Sequence, residues 1–297
     1  MTKTNKEFFW SLPQPVYVFF CTFLVASASS TGWMDSGTLA GLILLLTIPL
    51  CWIAERLIPK RQDWLLDSSD FYEDVFWVTA GYLIWIPLYD RYYDSALASV
   101  FSDLRDSLGV SFTFTAETML GMVAMAVVAA IVIEFIGYWA HRFQHRFLFL
   151  WRIHATHHHI VKMSVARADR THPLEFLGLN LGSAVVMAFF GATPEIAAVT
   201  LTLRITNARL NHCNLPFRSG VFGWLFTTAE WHSNHHSNVH EESNTNYGCV
   251  IILWDRVFGT FNGSSNVARV GNGTGEKLSL WTQFALPFYS NERIKEL

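Results

Sequence analysis

From Met119 to Tyr138 twenty residues run with a single charged side chain, Glu134. A helix of about 20 apolar residues crosses the hydrocarbon core of a bilayer, and about 17 suffice at the lower end. Leu12–Ser30 and Thr38–Ala54 contain no charge at all, and Val75–Tyr89 is a shorter, aromatic run. No small-residue cleavage site followed by a soluble domain succeeds the first run, so it reads as a membrane helix and not as a signal peptide. A fifth run, Leu177–Ile205, is broken by Thr193-Pro194-Glu195. Thr suits an N-cap, Pro the first helical turn and Glu a helix start, which predicts two half-length helices in a hairpin, each too short to span alone. Composition agrees: 51% of residues are apolar and 15% charged, against about 25% charged in an ordinary soluble domain.

Orientation follows from the basic residues. Lys3 and Lys6 lie in the N-terminal tail, Arg56, Lys60 and Arg61 after the second run, and Arg142, Arg146 and Arg152 after the fourth. The 90–117 loop sets Arg91 and Arg105 against five acids. Positive charge marks the cytoplasmic side. Both termini and everything after residue 140 are therefore expected in the cytoplasm, with Trp10, Trp33, Trp52, Trp85 and Trp139 at the interfaces. A net charge of −3 gives nucleic acid no reason to bind. Cys21, Cys51, Cys213 and Cys249 form no CxxC pair and read as reduced, structural thiols. Only 262–275, with four glycines, looks loose.

All 12 histidines fall between His141 and His240. His141 and His145 form HRFQH; His154, His157 and His158 form HATHH; His232, His235 and His236 form HSNHH. Residues at i, i+3 and i+4 share one helix face, so each motif aims two or three imidazoles at one point. His212 joins them as a ninth candidate. Neutral imidazole ligates iron, zinc, copper and nickel. Nine rings exceed the needs of one ion and suit two, each four- to five-coordinate. Structural zinc favours Cys, and water-activating zinc typically has three protein ligands. A soluble di-iron site uses carboxylates with Glu-x-x-His pairs. No such pair and no HExxH occurs here.

The blocks EFIGYWAHRFQH, WRIHATHH, RTHPLE, NHCNLPF, EWHSNHH, NYG and WDRVFGTF, in this order from about Glu134 to Phe261, resemble the fatty acid hydroxylase / sterol desaturase superfamily. The resemblance implies two iron ions on the histidine boxes, O2 as co-substrate, and hydroxylation or desaturation of aliphatic C–H groups. It also implies an all-α membrane protein of about four spans, plus the hairpin, under a cytoplasmic helical cap. Two departures stand out: Glu134 replaces the usual Asp seven residues before the first box, and His159 makes a third consecutive His.

Around the ligands, Glu134 is expected to hydrogen-bond a ligand imidazole. Asp169, Asn246 and Asp255 are further residues of that kind. His172 is as fit for a helix cap as for a metal, and His159 and His240 read as solvated or hydrogen-bonded neighbours. Expected divisions are 1–118 for N-terminal membrane helices, 119–262 for the histidine-box core and 263–297 for a tail. The chain has neither an HPGG haem stretch nor a four-cysteine iron–sulfur spacing. Electrons must then come from a separate ferredoxin, cytochrome b5-type protein or reductase, and a lipid-like substrate from the bilayer. The competing reading is a membrane metal-binding or metal-transport protein. Transporters carry His inside their spans, and these spans contain none.

Overall fold

The structure, a computed structural model, describes residues 3–297. It is all-helical; among the described residues two isolated bridges, Phe226–Ile251 and Ser237–Val270, are the only strand-like pairings. Helices α1 (Lys3–Trp10) and α2 (Pro13–Thr31) lead into α3 (Ser36–Leu57), which Asp35 caps by accepting from Thr38 N at 2.7 Å. Next come α4 (Ser68–Ala80) and α5 (Ser95–Ser107), joined by a helical stretch with wide π turns at Gly81–Trp85 and Asp90–Asp94. Helix α6 (Met119–Arg146) starts on a Thr118 cap, and α7 (Leu148–His158) follows it at once. After the hairpin come α8 (Pro194–His212) and α9 (Ala229–His235).

Among the described residues three helices are long and apolar enough to cross a membrane: Thr4–Thr31, Ser36–Leu57 and Met119–Arg146. The aromatic run 75–89 does not make a fourth of that kind, because Asp90, Arg91 and Asp94 follow within the same helical stretch. The chain nonetheless travels the length of the bundle there. The end of α3 packs with the end of α8 (Ile48, Cys51, Leu210 and Cys213), whereas the start of α6 packs with the start of α8 at the opposite end (Met122, Val123 and Ile196). Residues 58–118 connect these two ends. Their beginning is tied to the first by Asp70 and Asp74 on Arg167. Their finish is tied to the second by Arg105 Nη1 donating to Phe189 O at 2.8 Å and Phe114 N to Phe190 O at 3.0 Å.

The hairpin forms with Thr193 capping α8 by accepting from Ile196 N. Its second arm is longer than the half-length helix expected. It runs 19 residues to His212, because Asn207, Arg209 and Asn211, which read as polar, are buried and paired. Close helix approach rests on small residues. Ala126, Ala129 and Ala130 of α6 are fully buried, and a Cβ on Gly182 would lie 2.8 Å from Ile133 O. Leu45, Leu46, Leu50, Ile53 and Leu57 of α3 face outward, as a lipid-facing helix requires.

The 262–275 stretch is anchored, not loose. Val267 and Val270 pack with Trp64, Ile160 and Met163, and Gly271 N donates to His236 O at 2.9 Å. All four cysteines are free. Buried Gln14 links three helices. Its Nε2 donates to Asn207 Oδ1 (2.9 Å) and Asn211 Oδ1 (2.8 Å), and its Oε1 accepts from Ala229 N (3.2 Å). An unsatisfied buried polar group costs about 1–3 kcal/mol. Gln14→Leu is therefore expected to lower the thermal unfolding midpoint in detergent; an unchanged midpoint contradicts this linking role.

Candidate metal centre

Four chain segments converge where α6 ends. Helix α6 brings His141 and His145, and α7, folded back at the extended Phe147, brings His154, His157 and His158. His212 ends α8, while α9 and the residue after it bring His232, His235 and His236. The nine rings sort into two groups, His141/His145/His154/His158/His235 and His157/His212/His232/His236. Within each group the ligand atoms lie within 4.8 Å of one another. The groups adjoin: the His158 and His236 rings stack at 4.7 Å.

Hydrogen bonds fix which nitrogen points inward. A carbonyl oxygen only accepts, so a ring nitrogen bonded to it carries the proton. Nδ1 of His141 donates to Tyr247 O (2.6 Å), of His235 to Thr245 O (2.8 Å), of His157 to Arg170 O (3.2 Å) and of His212 to Ala208 O (2.8 Å). Each neutral ring then presents a bare Nε2 lone pair. Yet Nε2 of His141 and His235 lie 3.1 Å apart, and those of His157 and His212 3.3 Å apart. Each group thus holds facing lone pairs that no hydrogen bond between them can satisfy. A cation drawing in both nitrogens removes that repulsion, and all-imidazole donors suit iron, zinc, copper or nickel.

The fatty acid hydroxylase family model matches residues 126–260, which contain all nine rings. An ornithine lipid hydroxylase of Rhizobium tropici is 29% identical over 254 residues, 83% of this chain and 74% of the relative. A very-long-chain aldehyde decarbonylase of Oryza sativa is 31% identical over 150 residues, 49% of this chain and 57% of the relative. A sphinganine C4-monooxygenase of Arabidopsis thaliana is 29% identical over 150 residues, 50% of this chain and 58% of the relative. These matches support the fatty acid hydroxylase / sterol desaturase superfamily for this chain. No solved structure gives a significant match.

Around the two groups of rings, the residues expected near the ligands divide. Glu134 touches no imidazole. Its Oε1 accepts from Arg204 Nε (3.1 Å) and Nη2 (2.9 Å), and its Oε2 from Val250 N (3.0 Å). A carboxylate at that depth needs a cation, and α8 supplies one. Asp169 likewise pairs with Arg209, at 2.9 Å. Asn246 bonds Trp231 O and Asn262, holding the loop after α9 at a φ of 55°. Asp255 does reach the site through one intermediary. It accepts from Tyr247 N (2.8 Å) and Gly248 N (2.7 Å), fixing the turn whose carbonyl orients His141. His172 lies outside both groups: its Nδ1 accepts from Leu174 N and caps the 173–175 turn. His159 is buried beside Asn272, not solvated, and His240 is exposed beside Asn244.

One carboxylate at the site escaped the sequence reading. Buried Glu175 places Oε1 2.5 Å from His154 Nδ1, and Gln144 Nε2 donates to the same oxygen at 3.2 Å. Burial pushes Glu175 up to about 7. The usable signal was RTHPLE, where an acid follows His172 by three residues. Glu175→Gln is expected to weaken metal binding by about 10–100-fold, read by competition with a chelator; unchanged affinity contradicts the orienting role.

Burial also holds the imidazoles neutral. It drives His157 down to about 4 and His154 to about 3. His235 and His236 fall well below the ordinary range through burial and neighbouring imidazoles. Below an ordinary imidazole pKa of 6.5 the unfolded chain takes up protons that the folded one refuses. Metal-free protein is therefore expected to lose stability as pH falls from 6.5 toward about 4. Thermal unfolding in chelator across that window tests this, and a flat profile contradicts it.

Proposed function

We propose that this chain is an integral-membrane oxygenase that holds two iron ions on the nine clustered imidazoles. With O2 and two electrons from a separate ferredoxin, cytochrome or reductase, it hydroxylates or desaturates an aliphatic C–H of a lipid-like substrate. The observation that carries this reading is the pair of facing, bare imidazole nitrogens in each group. The hydroxylase, monooxygenase and decarbonylase names of its relatives point to the same lipid chemistry.

The iron pair, when bound, supplies O2 activation and C–H oxidation; the chain supplies the surroundings. Four carbonyls hold four rings in one tautomer, with Nε2 inward, and Glu175 braces the His154 ring at its Nδ1. Burial of these rings keeps water from the site. Five rings in one group and four in the other would hold one iron each. Hydroxylation places one oxygen atom in the product and releases the other as water, consuming two electrons and two protons. Desaturation releases both oxygen atoms as water. We assign 119–262 to catalysis, 1–118 to the membrane scaffold and 263–297 to a tail. We place the histidine face and both termini in the cytoplasm, following the basic loops.

Metal analysis with O2 uptake tests the reading. About two irons per chain are expected, one for each group, together with O2 consumption and a lipid product that has gained an oxygen atom or lost two hydrogens. Zinc without O2 uptake would instead indicate metal storage or transport. His157→Ala is expected to lose iron and turnover together; a fully active variant contradicts the ligand set.

A further inference from the structure

A second polar feature lies on the outer face of α6. Trp139, Arg142, Phe143 and Arg146 recur at i, i+3, i+4 and i+7, so they form one stripe. Across from them stand Asn244 and Tyr247, and the space between is a cavity of about 520 Å³. Among the described residues neither arginine forms a salt bridge; buried Asp255 acts on Arg142 only through space, its oxygens being taken by Thr260, Tyr247 and Gly248. Arg142 Nη1 donates only to Tyr138 Oη at 3.0 Å, with its guanidinium 5.4 Å from the Trp139 ring centre, and Arg146 is exposed. One turn deeper the stripe becomes wholly apolar: Phe135 packs on Trp254 at 4.9 Å, and Trp139 on Phe258 at 5.0 Å. Phe135 and Phe143 stay exposed.

We propose that this cavity binds an anionic bilayer lipid, its phosphate or carboxylate head group held by Arg142 and Arg146 and one acyl chain laid along the Phe135–Trp139 face. The cations sit at the end of a membrane-crossing helix, where a lipid head group lies. Guanidinium forks match the two oxygens of phosphate or carboxylate. A concave cavity continuing into an aromatic, lipid-facing wall fits an amphiphile better than the flat face of an acidic protein. The Tyr247 ring, 5.2 Å from the His145 ring, separates this lipid from the five-histidine group. The inference requires a bilayer around the bundle and does not depend on the oxygenase reading.

Native mass spectrometry of delipidated, detergent-solubilised full-length protein, after addition of phosphatidylglycerol or phosphatidylcholine, tests it. The wild type is expected to retain phosphatidylglycerol preferentially. Arg142→Gln and Arg146→Gln should each reduce that preference roughly fivefold, the worth of one cation near an anionic head group. Arg293→Gln, a basic residue elsewhere, should keep most of it, and the corresponding Lys variants, which keep the charge but lose the fork, should lose less of it than the Gln variants. Thermal unfolding confirms that each variant is folded. Equal retention of both lipids by the wild type, or an undiminished preference in the double Gln variant, overturns the proposal. So does displacement of the lipid by inorganic phosphate alone, which would mark a site for a soluble anion. Reduced binding of an acidic redox protein by the Gln variants, with lipid preference intact, would assign the arginines to that partner instead.

Discussion

A neutral imidazole has one N–H and one lone pair, and in a dry interior both must be placed. The protein spends the N–H on backbone carbonyls. The carbonyls of Tyr247, Thr245, Arg170 and Ala208 each accept a hydrogen bond from Nδ1–H of a ring of the cluster. What remains is a set of lone pairs turned inward on one another, with no N–H between them. A cation resolves that crowding. The bundle therefore has to hold those carbonyls, and the rings they orient, in register against the repulsion.

Four supports do so from different directions. Asp255 clamps the amides of Tyr247 and Gly248 and also accepts from Thr260 Oγ1 at 2.6 Å, which sets the Tyr247 carbonyl. Gln14 ties α2 to the turns of α8 just before His212 and to the start of α9. Arg209 joins α8 to Asp169, to the Leu44 carbonyl of α3 and to Tyr82. Arg170, whose carbonyl orients His157, is itself buried against Glu73, beside the Arg167 pairing with Asp70 and Asp74. Buried ion pairs are poor sources of net stability but hold geometry when both partners are present. Here they fix the segment between α7 and the hairpin relative to α4.

The histidine boxes were legible because helical spacing alone converts HxxHH into a convergent set of rings. The charge-free spans were legible for an equally local reason, since about 20 apolar residues need no partner to be recognised. Spacing was silent on what oriented the rings. Four of the orienting groups are backbone carbonyls, which every residue carries and no residue type reveals. Glu134 looked like an imidazole partner from its distance along α6, but Arg204 lies 70 residues away and only folding brings it near. The length of α8 was hidden for the same reason: Asn207, Arg209 and Asn211 read as polar until their buried partners are known. His172, next to Pro173, had an equally good local use as a cap and kept it.

The central claim is that the nine imidazoles build two neighbouring nitrogen-ligated metal sites. X-ray absorption spectroscopy at the iron edge of iron-loaded protein tests it most directly. The account predicts a first shell of imidazole nitrogen and light exchangeable ligands, free of sulfur, together with scattering from a second iron nearby. A sulfur-containing shell, or isolated iron with no metal neighbour and few imidazoles, would contradict it.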